Sequence, residues 1–145
     1  MKTCVTLLIP LLVYASLYAQ KNEIEKIEFK TLVRGAHEDV LITKDCVSIV
    51  KQGHSDAIES HAKFKIKKED WQALLNSFNN IPLHEIPSYS SPTNKRAYDG
   101  AWHSSIVIST TGKKSFGHTF DNEEPHEKLK PLIIVIRDIA DKYSK

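Results

Sequence analysis

Cysteine is almost missing from this chain: there are two in 145 residues, Cys4 and Cys46. Neither belongs to the short paired spacing of a cysteine zinc site. Glycine is scarce as well, with five residues. None of them builds a glycine-rich phosphate loop or the Gly-x-Ser-x-Gly turn of a serine nucleophile. No apolar run reaches the roughly 20 residues that a membrane helix needs. Neither sign of charge dominates, because 20 Lys and Arg face 18 Asp and Glu. Both signs are scattered, which describes a solvated surface rather than a nucleic-acid footprint. The one local excess is Lys63, Lys65, Lys67 and Lys68. Lys63 and Lys65 alternate with Phe64 and Ile66, as on the wet face of a half-buried strand.

What is present begins with an export pattern. Lys2 gives a positive start, Cys4 to Ala15 is apolar apart from Thr6 and interrupted by Pro10, and the chain turns polar at Gln20-Lys21-Asn22-Glu23. That order is the secretory signal peptide. Cleavage is expected after Ala19, with Ala15 as the alternative. Cys4 stands at the beginning of the apolar region, so it is not a lipid-attachment cysteine. Its removal leaves Cys46 as the sole thiol and excludes an intramolecular disulfide. Residues 20–145 then form one domain of common size, without a transmembrane segment, held by its core.

Along that domain, Ile27, Phe29, Thr31 and Val33 alternate with Glu28, Lys30 and Leu32, the period of a strand with one buried face. Gly35 ends it. Val40–Ile42 and Val47–Val50 flank Lys44-Asp45 as a tight hairpin. Ala62, Phe64 and Ile66 give a fourth strand. The period then changes: Trp71, Leu74, Leu75 and Phe78 form a helical stripe, with Glu69 and Asp70 in its first turn. Residues 82–100 carry Pro82, Pro87 and Pro92 and show no element. A second hairpin joins Ile106–Ile108 to Phe116–Phe120. A three-residue loop Thr110-Thr111-Gly112 would pair Ile106 with Phe116, and a two-residue loop Gly112-Lys113 would pair Val107 with His118. In the last segment Leu129, Leu132, Ile133, Ile136, Ala140 and Tyr143 keep helical spacing, with Ile134 and Val135 widening the buried face. Pro131 requires either a helix starting near Lys130 or a kink. The expected fold is α+β: an antiparallel sheet of about six strands with two helices on one face, in the order β-β-β-β-α-β-β-α. A tight β-barrel with one helix is the alternative.

Seven histidines raise the question of a metal or a hydrolytic site, and the best local group is His103, His118, Asp121 and His126. Strand parity argues against it: with the three-residue loop, His118 and His103 point to opposite faces. With the two-residue loop they lie roughly 13 Å apart along the strands. No cofactor or metal is therefore expected, and no catalytic residue is assigned. Cys46 reads as a small half-buried hydrophobe, lacking any neighbour that would activate it. Glu123-Glu124 read as a complement to a helix start. The three arginines are more informative. Arg34 stands beside Gly35, and Arg96 precedes Ala97-Tyr98-Asp99-Gly100. Either could brace a loop by pairing with Asp99 or Asp121. Alternatively Arg34, Arg96, Tyr98, Asp99 and Trp102 form a binding surface, because Tyr, Trp and Arg are the residue types of interface hot spots.

Arg34-Gly35-Ala36, Ser91-Pro92-Thr93, Arg96 to Ala101, and Phe120-Asp121 followed by Pro125 resemble small exported proteins of Bacteroidota. The resemblance implies an envelope location, periplasmic or extracellular, and brings no activity, substrate or catalytic residue with it. The function expected is a non-enzymatic, inhibitor-like binding module for an envelope or extracellular protein or ligand. The competing expectations are a small hydrolase or metal enzyme on His103, His118 and Asp121, and a structural subunit exposing a large apolar patch.

Overall fold

A computed structural model describes residues 23–33, 35–53, 58–97 and 100–144; residues 33, 58, 59 and 96 are described by their backbone alone. The elements are β1 (Ile24–Val33), β2 (Ala36–Thr43), β3 (Cys46–Gln52), β4 (Ile58–Lys65), α1 (Lys68–Asn76), β5 (His103–Thr110), β6 (Ser115–Asp121) and α2 (Lys130–Tyr143). The six strands make one sheet in the order β4-β3-β2-β1-β5-β6, and every neighbouring pair is antiparallel. This is the expected α+β fold. Among the described residues, no helix is long and apolar enough to cross a membrane.

The period-2 pattern decides which face is closed. Ile27 and Phe29 in β1, Val40 and Ile42 in β2, Val47 and Ile49 in β3, Ile106 and Ile108 in β5, and Phe120 in β6 are all buried. They share one core with Leu74 of α1 and with Leu132, Ile136, Ile139 and Ala140 of α2. Each such side chain contributes roughly 1.5–3 kcal/mol of burial. The other face, with Lys30, Leu41, Ser48 and Val107, stays partly or fully exposed. An antiparallel sheet tolerates one wet face in this way. The helices are joined at their ends: Asp70 accepts from Lys142 Nζ at 2.7 Å and from the Tyr143 hydroxyl at 2.8 Å.

Three expectations are corrected. The first concerns α2. It begins at Lys130 with Pro131 in its first turn, where a missing N–H costs nothing. Yet Ile134 is 60% exposed rather than part of the buried face. At 100° per residue it lies on the far side of the helix from Leu132 and Ile136, and Ile139 takes the buried place instead. The second concerns residues 82–100, which contain two short 3₁₀ turns, Leu83–Ser88 and Lys95–Ala97. The first turn seats Ile86 wholly in the core.

The third correction is the register of the second hairpin. Ile106 pairs with His118 and Ile108 with Phe116, so neither expected loop forms. The connection is Thr111-Gly112-Lys113, closed by Lys113 N–H to Thr110 C=O at 2.9 Å. Lys113, at φ 58°, takes the left-handed position of this turn. The observed register differs from the three-residue expectation by two residues, so the parity is unchanged. His118 still faces the core while His103 faces out.

Candidate binding site

The end of the sheet where β1 turns into β2 and β5 begins collects the exposed apolar groups. Gly35, at φ 87°, makes the β1–β2 turn with a backbone that side chains disfavour. On the outer face Leu32 pairs with His37 on one side and with His103 on the other. Leu32 is 50% exposed, and Trp102, just before β5, is 44% exposed. Only Phe64 and Ile134 share that status among the described large hydrophobic residues. A hollow of about 290 Å³ includes Leu32, His37, His103 and Ser105 in its lining. A second of about 200 Å³ is lined by Thr31, Ala36, His37, Glu38, Trp102 and Arg137. Thr31 and His37 line both, but the first hollow opens on the outer face with Leu32 and His103, and the second on the helix-bearing face with Glu38 and Arg137, so the two sit back to back at this end of the sheet.

Trp102 is held from below. Its N–H donates to Asn122 Oδ1 at 3.1 Å, and its carbonyl accepts from the Asn122 N–H at 2.8 Å. The Ser104 hydroxyl donates to the Asn122 carbonyl. Asn122 adopts φ 52° to make these contacts, a conformation that asparagine tolerates better than most residues. The exposed indole therefore projects from a fixed backbone.

The charges beneath it are paired. Arg137 donates from Nη1 to Glu38 at 2.6 Å and from Nε to Glu123 at 2.8 Å, and Lys51 Nζ reaches Glu38 at 3.1 Å. The Arg137 guanidinium also lies 5.8 Å from the Phe29 ring centre. Glu123 thus braces α2 rather than merely complementing a helix start. Burial pushes the Glu38 carboxyl upward, but hydrogen bonds and charge from Arg137, then Lys51, outweigh it and hold the group below its ordinary value. A carboxyl lowered on folding adds stability that is complete above its unfolded value and is lost as pH falls through the folded one. Arg137→Met is expected to cost about 1 kcal/mol at pH 7 and to flatten the loss of stability below about pH 4.3. Urea unfolding from pH 7 down to pH 3 checks this; an acid limb as steep as that of the wild type would show that Arg137 does not hold Glu38.

Of the residues singled out by sequence, Arg34, Tyr98 and Asp99 lie outside the described residues, and so does the Arg96 side chain, whose backbone sits in the second 3₁₀ turn. Trp102 alone is placed, at the exposed end just described. Of the histidine group, only His103 and Asp121 are brought side by side, as cross-strand partners. His103 and His118 occupy opposite faces, and Asp121 is buried, accepting from the Thr93 hydroxyl and from the Lys95 N–H at 2.6 Å. His126 stacks on Tyr89. His37 and His103 flank Leu32 two strand spacings apart, roughly 10 Å, too far to share an ion. No three of His, Cys, Asp and Glu converge as metal ligands among the described residues. Cys46 is half-buried, with Sγ 3.5 Å from the Thr43 hydroxyl.

Sequence reasoning missed Leu32, His37, Glu38, Arg137 and Asn122. Leu32 did carry a signal: it is the one apolar residue at the outward positions Glu28, Lys30 and Leu32 of β1. The others depend on partners 5 to 99 positions away and carried none. No protein-family model, curated protein or solved structure matches the chain.

Proposed function

We propose that this chain is an exported, non-enzymatic binding module of the cell envelope, and that it engages a protein partner through the Trp102 end of its sheet. The observation that carries the reading is that two exposed apolar side chains, Leu32 and Trp102, stand at one end of the sheet, each lining a hollow there. An aromatic anchor with a fixed backbone binds at low entropic cost, and tryptophan is the residue type most enriched among interface hot spots. The ion pairs around Arg137 neutralise the floor, so a partner need not supply charge to it. Export rests on the pattern of residues 1–20 and on the resemblance to exported proteins of Bacteroidota. Arg34 directly precedes Gly35, and Arg96, Tyr98 and Asp99 directly precede the Gly100–Trp102 segment. We include them in the contact surface on that adjacency.

The test is affinity capture from an envelope fraction with three immobilised proteins: the wild type, Leu32→Ser/Trp102→Ala, and Phe64→Ser/Ile134→Ser. The second pair removes equally exposed apolar groups elsewhere. A partner held by the wild type and the control, but lost at least tenfold from Leu32→Ser/Trp102→Ala, supports the reading; a tenfold loss is about 1.4 kcal/mol. Equal capture by all three proteins would remove this surface from consideration.

A further inference from the structure

The segment between α1 and β5 lies across β6, and one of the contacts that hold it there is aromatic and contains a titratable group. Ile86 in the first 3₁₀ turn is wholly buried. Three residues on, Tyr89 stacks on His126 with ring centres 4.5 Å apart and planes at 15°. His118 of β6 meets the edge of Tyr89 at 6.4 Å. Lys128 Nζ lies 5.4 Å from the Tyr89 ring centre and 3.0 Å from Glu85 Oε2, and the Tyr89 hydroxyl donates to the same Glu85 oxygen at 3.4 Å.

His126 has a second task. Its Nδ1 accepts the N–H of Lys128 at 3.3 Å, capping the 3₁₀ turn Glu127–Leu129 that runs directly into α2. Accepting there requires an Nδ1 without a proton. We propose that His126 is an acid-sensitive latch: unprotonated, it caps the lead-in to α2 and stacks under Tyr89, and protonation at Nδ1 loosens residues 84–90 from β6.

The charged and titratable neighbours decide the direction. From the strap come Glu85, His84 and Tyr89; from β6, His118; from the lead-in, Lys128. Glu124 and Glu127, its neighbours in sequence, are exposed. Glu85 is held below the ordinary carboxylate range, first by the Lys128 hydrogen bond. It therefore stays ionised while histidines titrate, and its pair with Lys128 does not change. Protonating His126 replaces an acceptor with a donor facing the Lys128 N–H. It also sets a cation at the positive end of a helical segment. Loss of an N-cap acceptor is worth about fivefold. The opposing gain, an imidazolium on the half-buried face of Tyr89, is about fivefold and offsets the lost cap. The helix-end charge, worth about two- to fivefold, then decides for opening.

Hydrogen-exchange protection, corrected for the intrinsic pH dependence of exchange, tests this on the purified protein from pH 8 to pH 5. Residues 84–90 and the Lys128 amide are expected to lose about two- to fivefold in protection while β1–β3 hold. His126→Asn keeps a capping acceptor without a titrating ring and is expected to abolish the difference. A constant wild type, or an equal loss in His126→Asn, would overturn the proposal. So would an NMR titration in which the Lys128 amide follows His84 or His118 instead of His126.

Discussion

Phe120→Ala is expected to lower the unfolding free energy by about 3–5 kcal/mol and the thermal midpoint by roughly 10–20 °C. Phe120 is wholly buried. Its ring stacks on Phe29 at 6.3 Å and on His118 at 5.8 Å. Truncation removes burial and leaves a cavity on the core face over β5, beside Phe29, that the sheet closes poorly because the backbone ladders fix the strand spacing. The lost ring pair adds about 0.5–1.5 kcal/mol. Against a typical total of about 5–15 kcal/mol, a loss of this size leaves a marginal protein. Phe64→Ala is the matched control. That ring is 47% exposed and touches Tyr143 at 6.2 Å, so about 1 kcal/mol or less should go. Thermal unfolding followed by circular dichroism compares the two. A cost for Phe120 no larger than for Phe64 would show that the Phe29–Phe120 contact does not organise the core.

Asp121→Ala is expected to cost about 2–4 kcal/mol, the second largest effect. The carboxylate is fully buried and accepts from the Thr93 hydroxyl and the Lys95 amide, pinning the far end of the strap to β6. A charged acceptor of this kind is worth more than a neutral one, and its removal leaves the Thr93 hydroxyl and the Lys95 amide without it. Both donors use the Oδ2 oxygen; Asp121→Asn can keep an oxygen there but loses the charge, so about half the loss is expected. Denaturant unfolding gives the totals. Hydrogen exchange at residues 93–97 should show the damage locally, before global unfolding. Because Asn122, the next residue, clamps the Trp102 backbone, Asp121→Ala should also weaken partner capture. Unchanged protection at Lys95 would mean that other contacts hold the strap.

Much of the architecture was legible because it rests on local periodicity. Alternation through Ile27, Phe29 and Thr31 identified the core face of β1. The spacing of Trp71, Leu74, Leu75 and Phe78 identified α1, although only Leu74 among them is fully buried. Gly35 and Lys44-Asp45 marked their turns correctly, because both signals are intrinsic to the residues concerned. The second hairpin shows where such reasoning stops. Alternation defines a face but repeats every two residues, so it separated His103 from His118 while leaving the pairing free to shift by two. What fixed Ile106 opposite His118 was the fit of a three-residue turn with Lys113, not glycine, in the left-handed position.

The sequence by itself determined the strands, the helices and the closed face, since each is written in neighbours a few positions apart. Tertiary structure alone decided the rest. Ile86 has no periodic company and became core only because its turn lies against β6. Asp121 became a buried anchor through residues 26 and 28 positions away. Arg137 found Glu38 across 99 positions. The exposed end with Leu32 and Trp102 exists because β5 pairs with β1 after an excursion of about seventy residues through β2–β4 and α1. Burial, ion pairing and the meeting of distant strand ends are properties of the assembled sheet, and no local pattern encodes them.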